Sequence, residues 1–262
     1  VNPEMSLAQN VDKLFFGKNA VLRDEYNRLF ASVFVNPDMV KNIVQLLYTR
    51  NAGFTRKEIV EKLEITDGGR LSSNLNALIS SDFIMKYVPF GYGKREEHYK
   101  LVDPFCIFYL HFIWKQKKIS EKFWQQNTTS APVSIWRGFA FENVCFNHME
   151  QIKRSLGISG VITETSAWSK KEDDTEGAQI DLLICRNDNV INMCEIKYYS
   201  GEFRVTKSYY EKILRRQAIL AERISPKFAI HSTLITTFGL NYNEYSSAFS
   251  NVIVLDDLFD NV

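Results

Sequence analysis

Cysteine is scarce and scattered. Cys106, Cys145, Cys185 and Cys194 form no C-x-x-C pair and have no histidine at zinc-binding spacing, which excludes a disulfide scaffold and a zinc module and reads as reduced thiols in a cytoplasmic protein. The four histidines, His98, His111, His148 and His231, are isolated, so no histidine metal pair exists. No nucleophile elbow and no dinucleotide glycine fingerprint occurs. No G-x-x-x-x-G-K-[ST] phosphate loop occurs either, so ATP hydrolysis by this chain alone is not expected. The longest apolar run, 104–114, is too short to span a bilayer, and no charged-then-apolar leader opens the chain; no membrane partner is expected. Phe105, Phe108, Tyr109, Phe112 and Trp114 within that run predict a buried helix instead. Excess charge is absent as well: 32 Lys and Arg stand against 31 Asp and Glu, which argues against coating nucleic acid non-specifically and leaves room only for a local basic patch.

What remains is a chain of 262 residues, 45% hydrophobic, long enough for two cored domains. Residues 1–37 read as a helical connector, with Leu22, Tyr26, Leu29, Phe30 and Val33 at helical spacing up to Asn36-Pro37. In 38–124, Val40, Ile43, Val44 and Leu47 form one helix face. Thr55-x-x-Glu58 is a capping box for a second helix, and Leu71, Leu75, Leu78 and Ile79 form the stripe of a third. A strand from Phe83, the basic glycine tip Gly91-Tyr92-Gly93-Lys94-Arg95 and a strand ending at Leu101 follow; three helices and such a hairpin form a winged-helix pattern. Its third helix would offer Arg70, Ser72, Ser73, Asn74 and Asn76 to DNA, and its wing Lys94 and Arg95. Equally, those residues suit a solvated face with the wing packed on a neighbouring domain.

The polar stretch 125–130 reads as the boundary, and 135–262 as an α/β domain with a mixed sheet flanked by helices. Its centre is a predicted hairpin of 179–185 and 190–197. A loop at 187–189 sets Asp181 directly opposite Glu195, with Cβ atoms about 5 Å apart. Two such carboxylates repel unless a cation lies between them, and Mg²⁺ takes one or two carboxylates plus water and phosphate. Alternation carries Lys197 to the face of Glu195. Metal and lysine together suit phosphodiester hydrolysis. Glu142 interrupts an apolar stripe of Ile135, Phe139, Phe146 and Met149; Gln217 interrupts one of Tyr210, Ile213, Leu214 and Leu220 or Ala221. A buried carboxylate at 142 requires a partner. The acidic segment 171–177 reads as a solvated loop from which Glu176 could add charge near the metal. Lys207, Lys212, Arg215 and Arg216 suit either a phosphate backbone or an exposed helix face.

Arg137-Gly138-Phe139-Ala140-Phe141-Glu142, Gln179-Ile180-Asp181, Glu195-Ile196-Lys197 and Gln217, in that order, resemble the core motifs of PD-(D/E)xK nucleases. The resemblance implies a restriction-endonuclease-like fold and cleavage of DNA dependent on Mg²⁺ or Mn²⁺. Asp181, Glu195 and Glu142 would be ligands, Lys197 the catalytic lysine and Gln217 an auxiliary group. Ile180 stands where the family has proline. More widely, the order of connector, winged helix, Asp103-Pro104-Phe105 helix and nuclease-like domain resembles the C-terminal region of archaeal-type AAA ATPases, and 14–26 looks like the exit from that family's ATPase module. This implies a piece of a longer protein in which ATP is bound only by an ATPase module outside these residues. A third reading keeps the fold without the activity, as a nucleic-acid or protein docking module.

Overall fold

The computed structural model describes residues 1–116, 120–169 and 179–259 and shows a mixed α/β protein. A capping box between Ser6 and Gln9 starts α1 (Leu7–Val11), and a π-helical turn follows at Asp12–Phe16. Helix α2 (Glu25–Val33) buries Tyr26 and Phe30, and α3 (Pro37–Tyr48) starts on a proline whose missing N–H is not needed in a first turn. The short β1 (Phe54–Thr55) leads into α4 (Arg56–Leu63) through the expected Thr55–Glu58 capping box. Then come α5 (Gly69–Ser80), β2 (Ile84–Tyr87), β3 (His98–Leu101), α6 (Pro104–Phe112) and α7 (Phe123–Asn127). The three strands form a sheet in the order β1-β3-β2.

The 1–37 segment is not a separate connector: Tyr26, Phe30 and Phe34 share one core with Val40, Ile43, Leu47, Leu71, Leu75, Leu78 and Phe83. The polar 125–130 stretch is no linker either. Buried Asp12 accepts the N–H groups of Trp124 (2.7 Å) and Gln125 (3.1 Å) and so holds the start of α7, whose first-turn donors have no helical partner. Position 74 lies one turn beyond Leu71 on the buried face of α5, so Asn74 points into the core rather than outward. Ser73 and Asn76 are exposed, and exposed Arg70 donates to Asn36 Oδ1 (2.6 Å).

The chain divides into two compact units, 1–86 with 98–140, and 87–97 with 141–262, so the division falls inside α8 (Ala131–Asn147) and the hairpin tip counts with the second unit. There Phe90 N–H donates to the Ala167 carbonyl (3.1 Å) and Ser166 Oγ to the Val88 carbonyl (2.8 Å). Lys94 and Arg95 are exposed on a 3₁₀ turn at Lys94–Glu96.

The second unit continues through α9 (Met149–Ser155), β4 (Thr163–Ser169), β5 (Gln179–Arg186), β6 (Val190–Lys197), β7 (Phe203–Arg204), α10 (Lys207–Ala221), β8 (Ala229–Thr236), β9 (Leu240–Asn241) and β10 (Asn251–Val254). Its mixed sheet has the order β10-β8-β6-β5-β4, with β10, β8 and β6 parallel and β5 antiparallel to both β6 and β4. A parallel β6–β8 pair requires a crossover, and α10 supplies it. One face of the sheet carries Leu183, Met193, Leu234 and, from α10, Ile213 and Leu220; the other carries Leu182, Ile184, Cys194, Ile235 and, from α8, Phe141 and Cys145.

Candidate functional site

The β5–β6 hairpin positions the central trio. Its loop is the expected 187–189, and Asn189 takes a left-handed conformation (φ 64°), a common device for closing a three-residue hairpin. Pairing runs from Cys185–Ile191 to Leu182–Cys194, so Asp181 follows immediately beside Glu195, in the register that the sequence implies. On the other edge of β5 the register shifts. Ser166 pairs with Leu183 and Trp168 with Ile180, leaving both Asp181 and Leu182 against Ala167 alone. This β-bulge puts Ile180 into the same core as Leu183 and breaks the strict alternation at Asp181. Freed from a regular pleat, the Asp181 carboxylate accepts the backbone N–H of Ile196 (Oδ2, 3.1 Å), taking the place of a ladder carbonyl.

Glu195 lies almost wholly inside, 4% exposed. Its Oε1 accepts from Lys197 Nζ (2.8 Å) and from Tyr209 Oη (2.6 Å), and its Oε2 is paired with the Arg216 guanidinium. Lys197 Nζ also stands 3.7 Å from Asp181 Oδ2, so the ammonium sits between the two carboxylates. Burial would raise the Glu195 carboxyl, but Lys197 and Arg216 outweigh it and hold it below the usual range. Asp181 has less compensation: burial first, then Glu195, lift its carboxyl to about 6, with Lys197 and the Ile196 N–H working the other way and Glu142 adding to the rise. Burial pulls the Lys197 ammonium down, yet Glu195 and Asp181 prevail and raise it, so the lysine stays charged at neutral pH. Burial and Glu195 push the Tyr209 phenol up, which keeps it a donor.

The structure thus brings Asp181, Glu195 and Lys197 together, with half-buried Glu142 within electrostatic reach of Asp181. It does not bring Gln217 there. Gln217 Nε2 faces the Ile230 carbonyl (3.5 Å), four positions back along β8 from Leu234, the residue that pairs with Glu195. On α10, Ile213 and Leu220 of the apolar stripe are buried and Tyr210 packs on the same core, but Leu214 is exposed, and Tyr209 and Arg216 complete the inward row with Ile213 and Leu220. The 4-3-4 spacing through the two apolar members is the signal that points to Tyr209 and Arg216. On α8 likewise, Ile135 and Phe139 are exposed, while Val133, Phe141, Asn143 and Cys145 are buried; a helix apolar on most sides does not declare its inner face. Glu176 and the rest of 171–177 lie outside the described residues.

Against a Mg²⁺ or Mn²⁺ ion the donors divide. Asp181 is a partly buried carboxylate whose neighbour Glu195 adds to its burden of negative charge, the condition a divalent cation relieves. Glu195 has both oxygens engaged and joins a metal only by exchanging a partner. Among the described residues no group of three His, Cys, Asp or Glu converges on one point. Compared with known proteins, the chain matches no family model and no curated protein.

Proposed function

We propose that the second unit is a PD-(D/E)xK-type nuclease-like domain that binds and hydrolyses phosphodiesters of DNA, and that the first unit, with the 87–97 hairpin, is a winged-helix module of an ATPase-linked protein. The observation that carries the reading is the meeting of Asp181, Glu195 and Lys197 at one end of the β5–β6 ladder, with helix α8 ahead of the meander and α10 crossing to β8. Asp181, with Glu142 and on partner exchange Glu195, would hold Mg²⁺. Such an ion supplies Lewis acidity toward the phosphate oxygens and acidifies a coordinated water. Lys197 remains protonated and contributes a fixed positive charge where the phosphorane gains negative charge. Arg216 and Tyr209 hold the Glu195 carboxylate, and through it Lys197, in a single orientation. The likeness of 14–26 to the exit from an ATPase module supports the ATPase link.

One observation favours a second reading, a docking module without hydrolysis: Glu195 is already saturated by two cations and a phenol. Incubation of the purified chain with labelled DNA and Mg²⁺ or Mn²⁺ separates the two. Cleavage that falls by at least about a hundred-fold in Lys197→Ala, in line with the loss of one charge-stabilising donor, is expected. Equal residual cleavage in both proteins would overturn the hydrolytic reading and leave the docking one.

A further inference from the structure

The strand ends beyond Lys197 carry an exposed aromatic rim. Tyr199, two residues after Lys197, is 50% exposed; Phe238, two residues after the end of β8, is 61% exposed; Tyr242, just past β9, is 79% exposed. The backbone holds them as a group. Thr237 Oγ1 accepts the Tyr199 N–H (3.1 Å) and donates to the Tyr199 carbonyl, tying that tyrosine to the residue before Phe238. Phe203 N–H donates to the Gly239 carbonyl (2.8 Å), and β7 pairs in parallel with β9, setting Arg204 beside Asn241. Ring contacts lead from the rim to the site: Tyr199 meets Phe203 edge-on at 5.8 Å, Phe203 meets Tyr209 at 5.2 Å, and Tyr209 donates to Glu195.

Charge follows the same stretch. The whole chain is nearly neutral, yet 197–216 contains, besides Lys197 and Arg216 that pair with Glu195, four basic side chains, Arg204, Lys207, Lys212 and Arg215, against two acidic ones, Glu202 and Glu211. Arg204 and Lys207 are exposed, as is Glu202, which accepts from Asn241 Nδ2 (3.2 Å). Exposed flat rings next to exposed cations form the combination that binds unpaired bases and their phosphates, since every base has a face to stack and a duplex hides it.

We infer that this rim, Tyr199, Phe238 and Tyr242 with Arg204 and Lys207, is a binding platform for single-stranded DNA that delivers an unpaired strand to the Asp181–Lys197 site. The inference rests on the nuclease-like reading for the direction of delivery, while the binding itself does not need hydrolysis. The platform selects a frayed end, flap or gap over a closed duplex.

The test is fluorescence anisotropy with the full chain in EDTA, using a labelled single-stranded DNA, the same sequence as blunt duplex, and a single-stranded RNA. Wild type should bind the single-stranded DNA at least ten-fold more tightly than the duplex. Tyr199→Ala, Phe238→Ala and Tyr242→Ala should each weaken single-strand binding by about five-fold or more, the loss expected for one stacked base. Thermal melting of these surface variants should match wild type. Arg204→Ala and Lys207→Ala should flatten the salt dependence. Equal affinity for duplex, tighter binding of the RNA, or single-strand binding indifferent to the aromatic substitutions would overturn the platform. A chain that sediments as a dimer dissolved by those same substitutions would also overturn it, by making the rim a protein interface. Cleavage assays on the same DNAs keep the two ideas apart. Preferential binding without metal-dependent cleavage removes hydrolysis and keeps the platform; cleavage indifferent to strandedness, with binding unchanged in the aromatic variants, does the reverse.

Discussion

Glu195 and Asp181 are neighbours with opposite electrical circumstances. Glu195 shares its two oxygens among Lys197, Tyr209 and Arg216, so its folded carboxyl lies low and it adds stability above the unfolded pKa that is lost as pH falls. Asp181, raised by burial and by Glu195 to about 6, does the opposite: the stability tied to its protonated form is fully present below the unfolded pKa, is lost as pH rises through about 6, and changes no further above that. Asp181→Asn, which keeps an oxygen for the Ile196 N–H, should therefore raise Tm at pH 8 in EDTA, by on the order of 1–2 kcal/mol of stability, and change little at pH 4. Mg²⁺ added at pH 8 should raise the Tm of wild type and leave the variant unmoved; a shift in both would put the ion elsewhere. Arg216→Ala strips a buried carboxylate of one of its two cations and should cost about 2–4 kcal/mol in urea denaturation. A loss below about 0.5 kcal/mol would show that the pair behaves as an exposed one.

Among the elements, the β5–β6 hairpin and the β5 bulge do different work. The hairpin sets the register of Asp181 and Glu195, and local loop length was enough to read it from the residues. The bulge comes from pairing with β4, the preceding strand, through a register shift that no short loop dictates, and it redirects Asp181 off the regular pleat toward the Ile196 N–H. Helices divide in the same way. The Thr55–Glu58 capping box starts α4 as its residues imply, whereas the apolar stripes of the later helices hold only in part: Phe146, Met149, Ile213 and Leu220 reach the core while Ile135, Phe139 and Leu214 are exposed, because apolar positions flank each inward row. A tight approach also governs β1 and β3. Gly53 sits at φ +72°, and a Cβ there would lie 2.0 Å from the Tyr99 carbonyl oxygen. Gly53→Ala should cost more than about 2 kcal/mol, read by chemical denaturation, because it adds backbone strain to a clash with main chain. A near-neutral result would mean that the β1–β3 pairing gives way without penalty.

The molecule as a whole has two compact units with their own cores, and three of its tryptophans, Trp114, Trp124 and Trp136, belong to the first. Leu78→Ala and Leu234→Ala each remove a fully buried leucine, one from each unit, and each should cost about 2–5 kcal/mol. Fluorescence of those tryptophans should register the first substitution as a lowered urea midpoint and the second hardly at all. An equal shift from both would show that the two units unfold as one. Among the described residues no helix is long and apolar enough to cross a membrane, in agreement with the shortness of the longest apolar run.

The residues alone were sufficient for much that is local: the capping box that starts α4, the hairpin loop, and the adjacency of Asp181, Glu195 and Lys197. Each depends on spacing along a few turns or one ladder, where periodicity and loop length leave little choice. Tertiary packing decided the rest. It buried Asn74, docked the 87–97 hairpin on β4, drew the first 37 residues into a core, and turned Arg216 and Tyr209 rather than Gln217 toward Glu195. A helix with more than one apolar side can satisfy its own periodicity in several rotations. Only the sheet it covers, with a buried carboxylate requiring two cations, selects one of them.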